Sequence, residues 1–470
     1  MIVQTGLWKI ADSVVLWGVI LLVLLLPNIT QAQEQETTTL LNYKLYTSTQ
    51  GALVGQAPFW HYANTYGRLR HGSEVNWLSG ATLAMPYQQL GPVQVASGVE
   101  LTSRISEAHN STHFTQFYGK LRYQGWQLRA GRFRHTVGSH LGDLSMGSMI
   151  VSRNATPIPK IELSTSGFVD IPLSDEHLQA KFYWSEGQLE LSRYIPRARL
   201  HQKSLHLRTV VGSTKVTVGL VHNIQWGGKG QSNSLGHYTD LLTSLKGGNE
   251  NTVAAYDVEI EFPIQKWHIT GYRQFFLEDG VSLLLRSPWD GLWGLRIHDD
   301  ENKGLIDTAL YEFMNTIQQD ALPGLPKGRA GYYTHSNYRS GWTYNGRPIG
   351  NPLIRNPEYR ADRASQGERP NTMIIAHHLG ISGQFRPALD YSVRFTYSRN
   401  YGICEDQVVE GSCRFNSGST IPPDLEERRI PRSQLRQDQY ATHLDVRYLL
   451  SEAYGMRLRS SVAVDWGEFD

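Results

Sequence analysis

Two pairs of neighbouring residues invite a catalytic reading. His335-Ser336-Asn337 sets an imidazole beside a hydroxyl, the combination a serine hydrolase uses. Neighbours on a strand point to opposite faces, so His335 would not reach the Ser336 hydroxyl, and a polar loop is the better reading. His377-His378 diverges for the same reason, and no other Cys or His cluster has zinc spacing. Asp299-Asp300-Glu301-Asn302-Lys303 lacks the Gly and terminal Glu of an EF-hand loop and reads as a solvated turn. Gly227-Gly228-Lys229-Gly230 precedes neither Ser/Thr nor a helix, so it reads as a mobile loop rather than a phosphate cradle. No catalytic residue, metal or cofactor is expected.

A binding chemistry is easier to find. Tyr332, Tyr333, Tyr338, Arg339, Trp342, Tyr344, Asn345 and Arg347 fall within 16 residues. Aromatic faces stack on the C–H faces of sugars, and Arg and Asn bind hydroxyls or acidic groups. Arg339, Trp342, Tyr344 and Arg347 are the candidate glycan contacts, with Trp226 as a further contributor. The alternative is an aromatic plug packed over the mouth of a barrel, since Tyr and Trp serve packing equally well.

The elements that would carry these residues alternate at period two. Leu178, Ala180, Phe182 and Trp184 interleave with Gln179, Lys181 and Ser185; Tyr391, Val393, Phe395 and Tyr397 interleave with Ser392, Arg394 and Thr396. A sandwich shows the same alternation. Several segments run about ten residues, the length a tilted strand needs to cross a membrane. Trp126, Trp184, Trp267, Trp293, Tyr448 and Trp466 sit near segment ends, where an interfacial girdle lies. The fold class is therefore all-β: a transmembrane antiparallel outer-membrane barrel. Strands are expected near 40–54, 74–85, 93–104, 113–124, 126–134, 160–170, 178–185, 205–211, 215–223, 253–262, 267–276, 291–298, 305–315, 373–384, 390–399, 439–449 and 456–466.

Short connections alternate with long ones near 135–159, 224–252, 316–372 and 400–438, as periplasmic turns alternate with extracellular loops. Seventeen strands are readable. Single-chain bacterial barrels normally have an even number, so the expected architecture has about 18, with the closing C-terminal strand missing from the chain. Lys120, Arg122, Lys181, Arg208, Lys215, Arg394, Arg447, Arg457 and Arg459 would face the lumen, with Asp257, Glu259, Glu261, Asp445 and Asp465. Such a lumen suits a water-filled channel or a barrel plugged by loops, and cross-strand salt bridges, such as Arg457 and Arg459 with Asp445, are the simpler reading of the charges.

Lys9, the apolar run Val14–Leu26 and Thr30-Gln31-Ala32 have the layout of a secretory signal peptide over 1–32, leaving 33–470 as one barrel domain. In an oxidising compartment Cys404 and Cys413 are expected to close a short loop as a disulfide. Of 470 residues, 45 are Lys or Arg and 43 are Asp or Glu, a balance that excludes a strongly basic nucleic-acid binder.

An ordered set of motifs then carries a resemblance. Ser152-Arg153-Asn154-Ala155-Thr156-Pro157-Ile158-Pro159, Trp289-Asp290-Gly291-Leu292-Trp293-Gly294, Gly331-Tyr332-Tyr333-Thr334-His335, Gly341-Trp342, Gly350-Asn351-Pro352-Leu353, Ala376-His377-His378-Leu379-Gly380 and Thr396-Tyr397-Ser398-Arg399-Asn400 occur in this order. The sequence resembles the Wzi-like capsule assembly proteins of Gram-negative outer membranes over most of 40–466. The resemblance implies an 18-stranded outer-membrane barrel with a helical element near the periplasmic end. It also implies a non-enzymatic, lectin-like role that holds capsular or surface polysaccharide on the cell. The expected partners are that polysaccharide and outer-membrane lipid, with the chain a monomer. An outer-membrane channel for oligosaccharides or other small polar solutes is the alternative.

Overall fold

The computed structural model describes residues 41–52, 57–69, 74–106, 110–138, 142–172, 174, 177–243, 249–278, 287–299, 304–319, 331–355, 371–402, 412–413, 430–431 and 436–468. The Cys404–Cys413 pairing and the 1–32 segment lie outside the described residues.

One antiparallel sheet dominates. Its strands in chain order are β1 Asn42–Gly51, β2 Val75–Leu90, β3 Val93–Ser106, β4 Ser111–Tyr123, β5 Trp126–Arg132, and β6, split into Pro159–Thr165 and Val169–Asp170. Then come β7 Leu178–Gln188, β8 Arg199–Val211, β9 Thr214–Trp226, β10 Asn251–Ile264, β11 Trp267–Glu278, β12 Gly291–Asp299 and β13 Thr308–Asn315. The last four are β14 Ile374–Arg386, β15 Leu389–Asn400, β16 Gln437–Ser451 and β17 Met456–Gly467. Both pieces of β6 pair with β7, so they form one stave. Each of the seventeen overlaps a strand expected from the alternation. The largest boundary change is at β8, which begins at Arg199 rather than 205, in the Pro- and polar-rich region that blurs the pattern.

Every stave pairs with its sequence neighbours, and β1 and β17 are the two ends of the sheet. The described residues place no strand between those ends. Phe59 in the β1–β2 connection donates its backbone N–H to Asp465 on β17 at 2.5 Å. Trp60 reaches Thr396 on β15 at 3.0 Å. Other loops meet β11, β13 and β14 from the same interior, so the sheet curls around a common lumen.

Alternation sorts the side chains across the wall. Leu83, Leu101, Phe117, Leu205, Val218, Ile260, Leu295, Leu379, Leu444 and Val462 are exposed on the outer side, as a lipid-facing surface requires. Trp293, Tyr448 and Trp466 are partly exposed among them, at positions expected for the girdle. Inward residues instead bond across the lumen face. Tyr272 on β11 lies over Gly294 on β12, where a Cβ would sit 1.9 Å from the ring, and donates its hydroxyl to Glu312 on β13. His206 on β8 crosses Gly219 on β9 in the same way to meet Asp257 on β10 at 3.2 Å. Both glycines are required because a ring spans two strands at their Cα. Arg459 and Arg447 both pair with Asp445, the second at 2.8 Å.

The connections alternate between the two ends of the sheet, short against long with one exception. Residues 91–92, 124–125, 171–177, 212–213, 265–266, 300–307, 387–388 and 452–455 are short and share one end of the sheet. Residues 52–74, 107–110, 133–158, 189–198, 227–250, 279–290, 316–373 and 401–436 share the other end, and all of these except the four-residue 107–110 are longer. Two short helices, α1 Phe59–Tyr62 and α2 Leu235–Thr243, lie in connections of the long-loop end.

Candidate functional site

Buried loop backbone must find hydrogen-bond partners, and here the wall supplies them. Gln274 on β11 accepts from the Met149 N–H at 2.6 Å and the Ser148 hydroxyl at 3.2 Å. Glu312 on β13 accepts from Ser145 Oγ and the Met146 N–H, both at 2.6 Å. Glu278 at the end of β11 takes the Tyr333 N–H at 3.0 and 2.9 Å. His378 on β14 lies 2.6 Å from the Leu144 carbonyl oxygen. Inward polar positions thus fix two loops, 142–158 and 331–354, inside the barrel.

Between these anchors the loops bury an apolar core. Trp60, Met146, Met149, Ile150, Tyr333, Tyr338 and Trp342 are at most 2% exposed. Trp342 donates its indole N–H to the Ile150 carbonyl at 2.7 Å, joining the two loops. The Tyr333 hydroxyl donates to the Met149 carbonyl and accepts the Asn351 N–H at 2.8 Å. Phe276 on β11 packs edge-on against Tyr332, at 4.6 Å between ring centres. The long-loop half of the lumen is therefore filled.

The five candidate glycan contacts do not form one exposed surface. Trp342 and Tyr344 are buried in the plug, and Arg132 donates to the Tyr344 hydroxyl at 3.3 Å. Arg347 is a clamp: its guanidinium donates to the Tyr62 carbonyl at 3.1 Å and to that of Leu69. Trp226 has the same strand parity as lipid-facing Val218, so the wall separates it from Trp342. It stacks on Tyr238 of α2 at 5.0 Å, under Arg199 at 4.8 Å. Four of the five thus pack rather than present themselves, because the loop folds inward and spends its large side chains on the core. Arg339 alone stays exposed, its guanidinium 5.2 Å from the ring centre of Tyr194.

Tyr194, 57% exposed, was not among the residues singled out from sequence. Its loop, 189–198, is held by Arg193, which is buried and donates to the carbonyls of Thr343 at 3.1 Å and Gly341 at 3.2 Å. The Tyr194 N–H adds a bond to Ser340 Oγ at 2.8 Å. The signal in the sequence was an Arg-Tyr pair before Pro196 in a connection between strands. Tyr194, Arg339 and the exposed Asn345 form the aromatic and polar surface of this end.

The catalytic alternatives fit other roles. His335 Nδ1 accepts the N–H groups of Asn337 and Tyr338, both at 3.2 Å, and Ser336 faces solvent. Burial lowers the His335 pKa, with Glu250 opposing, so the ring is held in the neutral form these bonds need. His378 is buried facing the plug, whereas His377 faces outward against Tyr311 at 2.8 Å. No group of three potential metal ligands occurs among the described residues. An indentation of about 590 Å³ lies on the lipid-facing side, beside Leu83, Val99, Phe117 and Ala130, away from the loops.

Comparison with known proteins follows the same lines. The family model for capsule assembly protein Wzi matches residues 48–358. No curated protein matches the chain by sequence. Among solved structures, Wzi of Escherichia coli, described as an outer membrane protein involved in group 1 capsule assembly and a carbohydrate-binding β-barrel, is 14% identical with a TM-score of 0.56, covering 91% of this chain and 80% of that one. OprD of Pseudomonas aeruginosa is 10% identical with a TM-score of 0.44, covering 92% of this chain and 89% of that one. OccK5 of the same organism is 10% identical with a TM-score of 0.44, covering 91% and 96%.

Proposed function

The chain belongs to the capsule assembly protein Wzi family, and from that premise we propose that it is an outer-membrane barrel that holds capsular or surface polysaccharide at its long-loop end without catalysing a reaction. The observation that carries this reading is the filled lumen, where Trp342 of one loop bonds to Ile150 of another beneath the mouth. A polysaccharide then meets a firm surface rather than an open pore. Tyr194 and Arg339 supply ring and cation there, and Asn345 adds an exposed amide. The roles of His335 and Ser336 support the non-enzymatic side of the reading. Export behind a cleaved 1–32 signal and a monomeric barrel in outer-membrane lipid belong to the same proposal.

The test is retention of capsule. Deleting the gene should leave polysaccharide made but released into the medium, and Tyr194→Ala with Arg339→Ala should reproduce part of that loss. Unchanged retention in both strains rejects the proposal. Large, stable currents from the purified wild-type chain in planar bilayers would favour the channel instead.

A further inference from the structure

On the β4–β9 side of the lumen, the short-turn end carries more cations than ion pairs among the described residues. Lys120, Arg122, Arg129, Lys181, Arg208 and Lys215 point inward there from β4 to β9. Glu162 pairs with Arg129 at 2.6 Å, Glu261 with Lys215 at 2.8 Å, and Glu259 with Arg208 at 3.9 Å. Lys120, Arg122 and Lys181 have no ion pair among the described residues. Lys120 also stands directly across from Arg129 in the β4–β5 register, a like-charge pairing that costs stability.

Aromatic rings accompany these cations. Arg122 lies 3.9 Å from the Tyr87 ring centre, and Lys120 lies 4.8 Å from that of Tyr118. Arg208 lies 3.6 Å from Phe168, and Lys181 lies 5.9 Å from the same ring. Two of the rings come from interruptions of the ladder. Tyr87 sits where the β2 register shifts between Met85 and Gln88. Phe168 lies in the gap that splits β6. Such irregularities re-aim side chains at the cost of ladder bonds.

A guanidinium held over a ring can still turn N–H groups toward a carboxylate; Arg122 spends part of its donors on the Tyr87 side chain. Arg122 Nε is buried without a hydrogen-bond partner, and Lys181 is exposed to the lumen. A cleft with low-dielectric walls and an excess of one sign of charge concentrates counter-ions of the other sign.

We propose that the short-turn mouth of the lumen binds a carboxylate-bearing saccharide through Lys120, Arg122 and Lys181, at a site separate from the Tyr194–Arg339 surface. The choice of a sugar over another carboxylate rests on the family reading above; the anionic character rests on the charges alone.

The probe is tetragalacturonate, titrated into the full chain in detergent by calorimetry, with neutral maltotetraose and inorganic phosphate as comparison ligands. Tetragalacturonate should bind, weaken as salt rises, and lose about tenfold or more in affinity with Lys120→Gln, Arg122→Gln and Lys181→Gln together. Lys181→Gln alone, at an exposed position, should lose about threefold while keeping wild-type thermal unfolding, which separates recognition from folding. Tyr194→Ala with Arg339→Ala should bind tetragalacturonate as wild type does. Equal affinity in the triple variant, equal binding of maltotetraose, or full displacement by equimolar phosphate overturns the proposal. So does loss of binding in the Tyr194/Arg339 variant. Normal tetragalacturonate binding alongside unchanged capsule retention in the deletion strain would sink the capsule reading and leave this site standing.

Discussion

The two halves of the lumen are lined by the same strands and filled in opposite ways. At the long-loop end, inward Gln274, Glu278 and Glu312 meet loop N–H and O–H groups, and the space between is apolar. At the short-turn end, inward Lys120, Arg122 and Lys181 meet rings, and among the described residues no carboxylate pairs with them. Acceptors on the wall suit a plug of buried loop backbone, because its N–H groups that are not bonded within the loop must find acceptors elsewhere. Cations on the wall suit a space left to water and solutes. A period-two strand thus settles which face a residue occupies, while the connections settle what that face meets.

The largest test of this contrast is Trp342→Ala. Removing a fully buried indole and its bond to Ile150 should cost about 3–5 kcal/mol in the plug. The expected signs are a lower unfolding temperature and a current in planar bilayers that the wild type lacks. A silent, equally stable variant would show that the loop end is not held by packing. Glu312→Ala comes next. It leaves the Ser145 hydroxyl, the Met146 N–H and the Tyr272 hydroxyl without their acceptor, at about 2–3 kcal/mol. Glu312→Gln keeps an acceptor and should recover at least half of that in the same denaturation series. Equal losses from the two substitutions would mean that shape rather than hydrogen bonding anchors the loop.

These tests also mark what was legible in the sequence. Alternation located all seventeen staves because each has one lipid-facing side, and a slip of one residue would turn Leu205 or Val462 inward. Loop lengths located the two ends for the same structural reason. The candidate site was legible only as composition. Tyr332, Tyr333, Trp342 and Tyr344 were read as a group, yet whether a loop's rings turn in or out depends on acceptors far away in sequence, such as Glu278 and Gln274. Trp226 shows the limit most clearly. Its parity places it outside the wall, but only the fold of residues 235–243 over it explains why a large ring there is buried. Tyr194 was missed because the 189–198 loop owes its shape to Arg193 bonding to carbonyls about 150 residues away.

A smaller effect probes the rim between loop core and solvent. His335 is a base with a lowered pKa, so its contribution is full above its ordinary value of 6.5. It is lost as pH falls below that value, because the unfolded ring protonates first and a protonated Nδ1 cannot accept from Asn337 and Tyr338. Hydrogen exchange at those two amides should quicken as pH drops below about 6.5, after correction for intrinsic rates, by an amount worth about 1 kcal/mol. In His335→Gln that added pH dependence should vanish. Persistence of it would assign the effect to another group.

The smallest expected stability effect is the most discriminating one. Lys181→Gln changes a lumen-exposed cation that has no ion pair among the described residues, so it should shift unfolding by less than about 0.5 kcal/mol. Its ring contact with Phe168 at 5.9 Å is too long and too wet to be worth more. Relief of repulsion from Arg208, which shares that ring, would act in the opposite direction. A result near zero therefore means that the charge at the short-turn end is kept for something other than folding, in contrast to Glu312 at the loop end. A loss near that of Glu312→Ala would erase the contrast, since both ends of the lumen would then be held by their polar side chains.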